Sequence, residues 1–305
     1  MSWQGIAALT EFKVYENTDP EDIVNRCRGS QLILTNKAVL TADIMDQLPE
    51  LKYIGVLATG YDVIDVDAAT QRGIIVTNIP AYSTESVVQM AWSHILNILN
   101  HTDYYAQVNR KGKWTLSKNF CYIDFPHHEM AGLTIGIVGL GHIGIRMVHV
   151  ALAFGMKVLA VTSKPQESLP NGVLKVELNE LLSHSDIISL HCPLNANTKH
   201  MINYTSLRLM KSSAILINTG RGELVNEQEL ADALSDGIIS AYGADVLTVE
   251  PASTNCPLLS LPNCYLTPHI AWATIEARQR VIDIGTENIR AFLNGTPINV
   301  VNKKS

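Results

Sequence analysis

One glycine-rich stretch, TIGIVGLGHIG at residues 134–144, most constrains what this chain can fold into. Its apolar start predicts a short strand that leads directly into Gly139-x-Gly141-x-x-Gly144, and apolar residues at helical spacing follow. In that setting Gly139 allows a tight turn, Gly141 lets the backbone approach a pyrophosphate, and Gly144 lets helix and strand pack closely. The stretch therefore predicts a dinucleotide-binding fingerprint, with the helix N-terminus facing the phosphates; a purely structural glycine turn is the alternative.

The length and composition indicate a globular protein of two domains. A chain of 305 residues is long for one core, and its 47% apolar and 17% charged residues suit well-filled interiors. The net charge of −6 is not clustered, so we expect neither a nucleic-acid partner nor a membrane partner, and no apolar run is long enough to span a bilayer. The start of the chain lacks the pattern of a signal peptide. Five scattered cysteines without a CxxC pair indicate free thiols and a cytoplasmic location.

The first third of the chain alternates between strand-like and helix-like segments, which predicts a parallel sheet with helices on its faces. Strands are predicted at residues 12–15, 31–35, 53–58 and 73–77, and helices at 2–9, 20–26, 42–48 and 64–72. The chain thus begins on a helix, where such a domain normally begins with a strand. We therefore expect an uncovered sheet edge in this domain. A single helix over residues 84–110 is predicted to bridge the two domains.

The second alternating block predicts a doubly wound nucleotide-binding domain around the fingerprint. Further strands are predicted at residues 157–162, 172–176, 186–190, 214–218, 238–245 and 264–267, and helices at 178–183, 204–210, 226–235 and 274–294. The fold class is therefore α/β, with two doubly wound parallel-sheet domains. Residues 1–98 and 275–305 are assigned to the substrate domain, and residues 99–274 to the dinucleotide-binding domain.

Three polar residues follow strands of the second block, where ligands bind in open α/β sheets. Arg221 can hold a carboxylate with two hydrogen bonds, and His269 can donate or accept a proton. Glu250 can orient that histidine through its other ring nitrogen. Each residue alone has a structural explanation as a surface charge, a turn residue or a loop histidine. Together, beside a dinucleotide site, they predict a catalytic set.

The motifs around these residues resemble those of the D-isomer-specific 2-hydroxyacid dehydrogenases. The matching stretches are GIVGLGHIG, SLHCPLNANTKHMIN, LINTGRGELVNEQEL, GADVLTVEP and LTPHIAWAT, and the first half is most similar to the glycerate dehydrogenase (hydroxypyruvate reductase) branch. The resemblance implies a Rossmann-type NAD(P)-binding domain, a flavodoxin-like substrate domain and an active site in the cleft between them. It also implies that Arg221 binds substrate, that Glu250 supports His269 as the general acid/base, and that the backbone at Thr59 and Gly60 holds the substrate carboxylate.

The resemblance further implies a set of cofactor-binding residues. Asp245 is expected to hydrogen-bond the carboxamide, although a strand-end cap is the alternative. The implied residues are Gly139, Gly141, His142, Ile143 and Gly144 at the pyrophosphate; Thr162, Ser163, Lys164, Cys192 and Pro193 on the adenosine side; and Thr219, Gly220, Arg221, Asp245, His269, Ala271 and Trp272 at the nicotinamide.

Two positions depart from the family pattern, and one histidine pair has to be considered as a metal site. No carboxylate follows the strand at 157–162, so Ser163 and Lys164 leave both NAD(H) and NADP(H) open as the cofactor. His142 stands where the family usually has Arg or Asn, which weakens contact with the pyrophosphate. The adjacent His127 and His128 lack a third ligand at suitable spacing, so no metal is expected.

The sequence therefore predicts an enzyme that interconverts a small 2-oxo acid and its D-2-hydroxy acid, with hydroxypyruvate and D-glycerate as first choice and glyoxylate as a side substrate. Two alternatives stay open: a dinucleotide-sensing, corepressor-like binding protein, and a phosphoglycerate dehydrogenase without a regulatory domain. By the same resemblance, the long helix and the aromatic segment at residues 111–130 suggest a homodimer, with packing between the two domains as the alternative.

Overall fold

The computed structural model describes residues 1–302, whose contacts divide the chain into two units. The first unit contains Met1–Tyr82 and the chain from Ala273 on, and the second contains Ser83–Trp272. The first division thus precedes the boundary at residue 98 that we expected from the sequence. The boundary lies earlier because the helix over residues 84–100 belongs to the second unit. Its buried face packs with Ile135 and Ile217 in one apolar cluster of that unit.

Helices and strands alternate along most of the chain. The first part contains α1 (Gln4–Ala7), α2 (Ile23–Cys27), β1 (Leu32–Thr35), α3 (Ala42–Asp46), β2 (Tyr53–Val56), α4 (Val66–Gln71) and β3 (Ile75–Thr77). The middle part contains α5 (Thr84–Asn100), α6 (Thr102–Arg110), β4 (Thr134–Val138), α7 (His142–Ala153), β5 (Lys157–Val161), β6 (Val173–Lys175), α8 (Leu178–His184) and β7 (Ile187–Leu190). The last part contains α9 (Tyr204–Leu207), β8 (Ile215–Asn218), α10 (Glu227–Ser235), β9 (Ala241–Ala244), β10 (Cys264–Leu266) and α11 (Ile275–Leu293).

The sheet of the first unit has three parallel strands in the order β1-β2-β3. The end of the described chain covers the β3 edge, where the Val301 N–H donates to the Val76 carbonyl and Asn302 Oδ1 accepts from the Val76 N–H, both at 2.9 Å. No strand among residues 1–302 pairs with the other side of β1. The predicted strand at residues 12–15 is wrong: Phe12 and Val14 are exposed and the stretch has no strand partner, so nothing holds it extended.

The second unit is built on seven parallel strands in the order β10-β9-β8-β7-β4-β5-β6. β4 is the first of these strands in the chain, and its successors run outward to both sides: β5 pairs on one side and β7 on the other. This reversal of strand order opens a crevice at the carboxyl ends of β4 and β7. The glycine fingerprint follows β4 and therefore lies at that crevice.

Apolar side chains cover both faces of this second sheet. β7 and β8 are buried at every position, which explains why they read as continuous apolar runs. One apolar cluster joins α5 and α7 to the sheet, and another joins α8, α9 and α10 to it. The predicted α/β class with parallel sheets is confirmed.

The helix predicted over residues 84–110 is broken in two at His101. This residue has φ +49°, in the left-handed region, where it ends α5 and precedes α6. Asn97 stabilises the break, because its Oδ1 accepts from the Thr102 hydroxyl at 2.8 Å and from the Asp103 N–H at 3.1 Å. An asparagine inside an apolar helical pattern therefore marks the end of the first helix.

Several features are absent from the part of the chain that the structure describes. No helix there is both long enough and apolar enough to cross a bilayer. No three His, Cys, Asp or Glu side chains of residues 1–302 lie together as metal ligands would. His127 instead stacks on the ring of Tyr105, with 5.7 Å between the ring centroids. All five cysteines are free thiols.

Candidate active site

The three fingerprint glycines meet three different steric demands. Gly139 has φ +97°, and a Cβ there would lie 2.7 Å from the backbone of His191 and Cys192, which follow β7. A Cβ on Gly144 would lie 2.0 Å from the Gly139 carbonyl oxygen, so helix and strand approach too closely for any side chain. A Cβ on Gly141 would meet nothing within 4 Å. The first and last glycines are needed by the fold, whereas Gly141 leaves open space at the start of α7.

The N-terminus of α7 is suited to an anion. Gly141 is its N-cap and provides no side chain to accept from the first N–H groups, and the first turn, beginning at His142 and Ile143, contains no acidic residue. Uncapped N–H groups and the helix dipole attract phosphate. Farther along the same edge, the hydroxyl of Thr219 is buried without a hydrogen-bond partner in the described chain. The open Gly141 cradle and this orphaned hydroxyl fit a dinucleotide.

On the adenosine side, the residues after β5 are accessible and those after β7 are tied to their own loop. Ser163 and Lys164 are exposed, and Thr162 Oγ1 accepts from the Lys164 N–H at 3.2 Å. Cys192 is half-buried, and burial raises the pKa of its thiol. The Pro193 carbonyl accepts from the Thr198 hydroxyl at 2.7 Å. The accessible side chains at this end are therefore the hydroxyls and the lysine that follow β5.

Arg221 lies in a tightly held turn after β8. Asn218, which is fully buried, fixes this turn by accepting from the Gly220 N–H at 3.0 Å and donating to the Arg221 carbonyl at 2.9 Å. A Cβ on Gly222 would lie 2.0 Å from the Leu247 backbone, so the turn packs against the segment that leads to the residue-250 loop. The Arg221 side chain is exposed, and its described bond is from Nη1 to the Gly220 carbonyl at 2.9 Å.

His269 and Glu250 are brought together as the sequence analysis predicted. Glu250 Oε2 lies 2.5 Å from His269 Nδ1, and Oε1 accepts from the Leu247 N–H at 3.0 Å. His269 has φ +53°, and the Trp272 indole N–H donates to its carbonyl at 2.9 Å, which holds the turn. Because Nδ1 is engaged by the carboxylate, Nε2 is the ring nitrogen left to meet a substrate. About a third of each side chain is accessible.

Asp245 has a role that the sequence analysis gave only as its alternative. Its carboxylate is 1% exposed and accepts from the Thr267 hydroxyl at 2.6 Å, the Ile270 N–H at 2.9 Å and the Ala271 N–H at 2.7 Å. It therefore caps the end of β9 and fixes the turn that carries His269. A carboxylate has acceptor capacity for about four hydrogen bonds, so its contact with a carboxamide stays a prediction.

The structure adds His94 and Thr267, which the sequence analysis did not identify. His94 on α5 is 6% exposed, and its Nε2 lies 3.2 Å from Thr267 Oγ1. Because the threonine hydroxyl donates its proton to Asp245, it accepts from the His94 N–H. Burial lowers the pKa of His94, an effect that Asp245 opposes. The sequence signal that could have identified His94 is a histidine on the apolar face of a predicted helix.

Comparisons with known proteins found one family model and several similar enzymes. The model of the D-isomer specific 2-hydroxyacid dehydrogenase NAD-binding domain matches residues 92–271. A hydroxypyruvate reductase of Blautia hydrogenotrophica is 42% identical, covering 99% of this chain and 95% of the relative, and a glycerate dehydrogenase of Methylorubrum extorquens is 44% identical, covering 95% and 92%. The structure of an acyclic imino acid reductase in complex with NADPH and D-Arg is 32% identical, covers 99% of this chain and 96% of its own, and superposes with a TM-score of 0.87.

Proposed function

The chain belongs to the D-isomer specific 2-hydroxyacid dehydrogenase family, and we propose that it interconverts hydroxypyruvate and D-glycerate, with glyoxylate as a side substrate. The membership confirms the resemblance that the motifs indicated. The observation that carries the proposal is the contact between His269 Nδ1 and Glu250 at 2.5 Å, in the unit that contains the glycine fingerprint. An imidazole held by a carboxylate is a proton donor and acceptor of fixed orientation.

His269 acts on the substrate oxygen through Nε2. During reduction it donates a proton to the oxygen of the C2 carbonyl as this becomes an alkoxide, and during oxidation it accepts the hydroxyl proton. Glu250 stabilises the imidazolium and fixes the ring, while the Leu247 N–H fixes Glu250. When bound, the nicotinamide supplies or receives the hydride.

Arg221 binds the substrate carboxylate and polarises the adjacent carbonyl. A guanidinium offers parallel N–H donors that match a carboxylate. In support, no ion pair of Arg221 is described within residues 1–302, so no internal carboxylate competes with a substrate. The buried Asn218 holds the turn from which the side chain extends.

Thr59 and Gly60, in the first unit, remain the proposed backbone donors for that carboxylate. The Thr59 hydroxyl donates to the Ile79 carbonyl at 2.8 Å, and the Thr59 carbonyl accepts from Asn78 Nδ2 at 2.8 Å. For residues 1–302 no hydrogen bond from the N–H of Thr59 or Gly60 is described. These contacts support a loop that is fixed by its other atoms and keeps its N–H groups for a ligand.

The proposed test is a substrate panel with the purified protein. Reduction is followed by the loss of reduced-nicotinamide absorbance, with hydroxypyruvate, glyoxylate, pyruvate and 3-phosphohydroxypyruvate, each with NADH and NADPH. We expect the highest kcat/KM for hydroxypyruvate and a lower value for glyoxylate. A preference for the phosphorylated substrate would indicate a phosphoglycerate dehydrogenase. Dinucleotide binding without turnover of any substrate would contradict the proposal and favour the corepressor-like alternative.

A homodimer is proposed through the aromatic segment at residues 111–130. Three of its side chains are largely exposed: Leu116 at 83%, Phe120 at 90% and Ile123 at 73%. Apolar groups clustered on one segment of a monomer surface are typical of an interaction site. Sedimentation should therefore give a dimer that Phe120→Asp converts to monomer, whereas Leu259→Asp, at another exposed leucine, should leave it intact. A monomeric wild-type protein would contradict this assignment.

The proposed setting is the cytoplasm, without a nucleic-acid or membrane partner. The five unpaired cysteines support a reducing compartment. The net charge of −6 gives no attraction for an anionic polymer or lipid surface. Fractionation of cells that express the tagged chain would test the location.

A further inference from the structure

The end of β5 has a composition that points to a charged ligand group. In dinucleotide-binding domains the strand after the fingerprint helix ends at the adenine ribose, where an acidic residue accepts from the 2′-hydroxyl. Here β5 ends at Val161, and Thr162, Ser163 and Lys164 follow. A carboxylate that would repel a 2′-phosphate is replaced by two hydroxyls and an ammonium group.

A second lysine is held beside this turn by the neighbouring strand. Lys175 is the last residue of β6, which pairs with β5, and its Nζ donates to the Lys164 carbonyl at 2.8 Å. Gln166 joins the turn to β6, since its Oε1 accepts from the Lys175 N–H at 2.7 Å and its Nε2 donates to the Val173 carbonyl at 2.9 Å. The backbone therefore brings two ammonium-bearing residues to the same end of the sheet.

Neither lysine forms an ion pair within the described part of the chain. The ion pairs described for residues 1–302 include neither Lys164 nor Lys175, although Glu167 lies in the same loop and Glu177 two residues beyond Lys175. Neither ammonium group therefore has a counter-ion in the described chain, and a dianion bound at this turn would be attracted by both. A phosphate monoester carries a charge of about −1.5 to −2 at pH 7.

We propose that Ser163, Lys164 and Lys175 form a binding site for the 2′-phosphate of NADP(H), so that this enzyme prefers NADPH to NADH. The Ser163 hydroxyl and the exposed Lys164 provide donors from the turn, and Lys175 provides a charge from β6. The inference rests on the proposed function for the identity of the ligand as a nicotinamide dinucleotide. The competing explanation is that Lys175 only holds the turn through the Lys164 carbonyl.

The test uses half-cofactors that lack the nicotinamide, so that its failure is distinct from a failure of the proposed reaction. Calorimetric titration of the whole chain compares adenosine 2′,5′-bisphosphate with 5′-AMP, which differ only in the 2′-phosphate. We expect the bisphosphate to bind about tenfold or more tightly, with a difference that shrinks as salt rises, because the added contacts are charge-assisted. Equal affinity for the two ligands would overturn the proposal.

Variants separate a phosphate contact from a structural role. Lys164→Met and Lys175→Met should each weaken the bisphosphate by about three- to tenfold and leave 5′-AMP unchanged. If Lys175→Met weakens both ligands equally, or neither, Lys175 does not contact the phosphate and the site is wrong. Lys157→Met, at the opposite end of β5, is the matched control and should change neither affinity.

A carboxylate introduced at the turn should shift turnover from NADPH toward NADH. Ser163→Asp places a carboxylate at the ribose position, where it accepts from a 2′-hydroxyl and repels a 2′-phosphate. The ratio of kcat/KM for NADPH to that for NADH should fall by about a hundredfold or more, a change of about 2.7 kcal/mol. An unchanged ratio in a folded variant would contradict the assignment.

Discussion

Polar side chains at the carboxyl edge of the second sheet are bonded within the chain at one end of the sheet and lack charged partners at the other. After β9 and β10 the chain satisfies its own groups: Asp245 accepts three hydrogen bonds, and His269 is held by Glu250. After β5 and β6, neither Lys164 nor Lys175 forms an ion pair within residues 1–302. We propose that the end with Asp245 and His269 transfers the proton and is organised before a ligand binds, whereas the end with the two lysines is completed by the bound cofactor. Substitutions at the first end should lower turnover with either cofactor, and those at the second should change the choice between cofactors.

A large effect is expected for Arg221→Ala, at the end that carries the proposed proton donor. Loss of the guanidinium removes the substrate clamp, and kcat/KM for hydroxypyruvate should fall about a thousandfold with either cofactor. The kcat/KM of Arg221→Lys should lie between those of the wild-type enzyme and Arg221→Ala, because an ammonium group keeps the charge and loses the two-point geometry. A loss of kcat/KM with only one of the two cofactors would show that Arg221 acts on cofactor choice and not on the substrate carboxylate.

Acid should destabilise the fold through two imidazoles, His191 after β7 and His94 on α5. Burial lowers the pKa of His191, beside the fingerprint, to about 4, and burial also lowers the pKa of His94 on α5. Because the folded-state pKa values lie below that of the unfolded chain, this stability is present above about pH 6.5 and is lost as the pH falls. For His191 the loss should reach about 3 kcal/mol at pH 4.

Urea unfolding between pH 4 and 7 measures this loss. His191→Gln, which keeps a polar group for the Ser189 hydroxyl, should flatten the fall in unfolding free energy. His94→Leu should flatten it independently. A wild-type unfolding free energy that does not change over this range would contradict the neutral burial of both imidazoles.

Glu250→Gln should lower kcat about a hundredfold, because the neutral amide no longer stabilises the imidazolium of His269. The KM for either cofactor should stay within about twofold, since Glu250 contacts His269 and the Leu247 N–H rather than the adenosine end. An effect on cofactor KM without an effect on kcat would show that the two ends are not separate in function.

Asp245→Asn tests the positioning of the His269 turn and should have a smaller effect than Glu250→Gln. An amide offers one acceptor atom where the carboxylate accepts three hydrogen bonds, so we expect about a tenfold loss of kcat and a lower thermal midpoint. Thr267→Val removes one of the three donors to Asp245, so it should lower kcat and the thermal midpoint less than Asp245→Asn does. If Asp245→Asn changes only the KM for the cofactor, its contact with a carboxamide outweighs its role as a cap.

The sequence predicted the parts of this molecule that depend on local pattern. Apolar runs located the strands, and the glycine spacing located a turn whose close contacts at Gly139 and Gly144 admit no side chain. The contact between Glu250 and His269 followed from their positions after neighbouring strands. The helix break at His101 was missed because apolar spacing continues across Asn97, whose side chain caps the break.

Contacts between distant segments were beyond prediction from the sequence. His94 and Thr267 are 173 residues apart, and only the packing of α5 on the sheet brings them together. Lys175 lies on a different strand from Lys164, and its reach to that turn depends on the pairing of β5 with β6. The second unit begins at Ser83 and not after residue 98, because the apolar face of α5 packs on the second sheet.

The most direct test of the account measures hydroxypyruvate reduction by the wild-type enzyme and by His269→Ala, together with binding of adenosine 2′,5′-bisphosphate to both. We predict that the variant loses kcat/KM by about a thousandfold or more, as expected for loss of a general acid, while its affinity for the bisphosphate is unchanged. Turnover close to that of the wild-type enzyme in the His269→Ala variant would contradict the account.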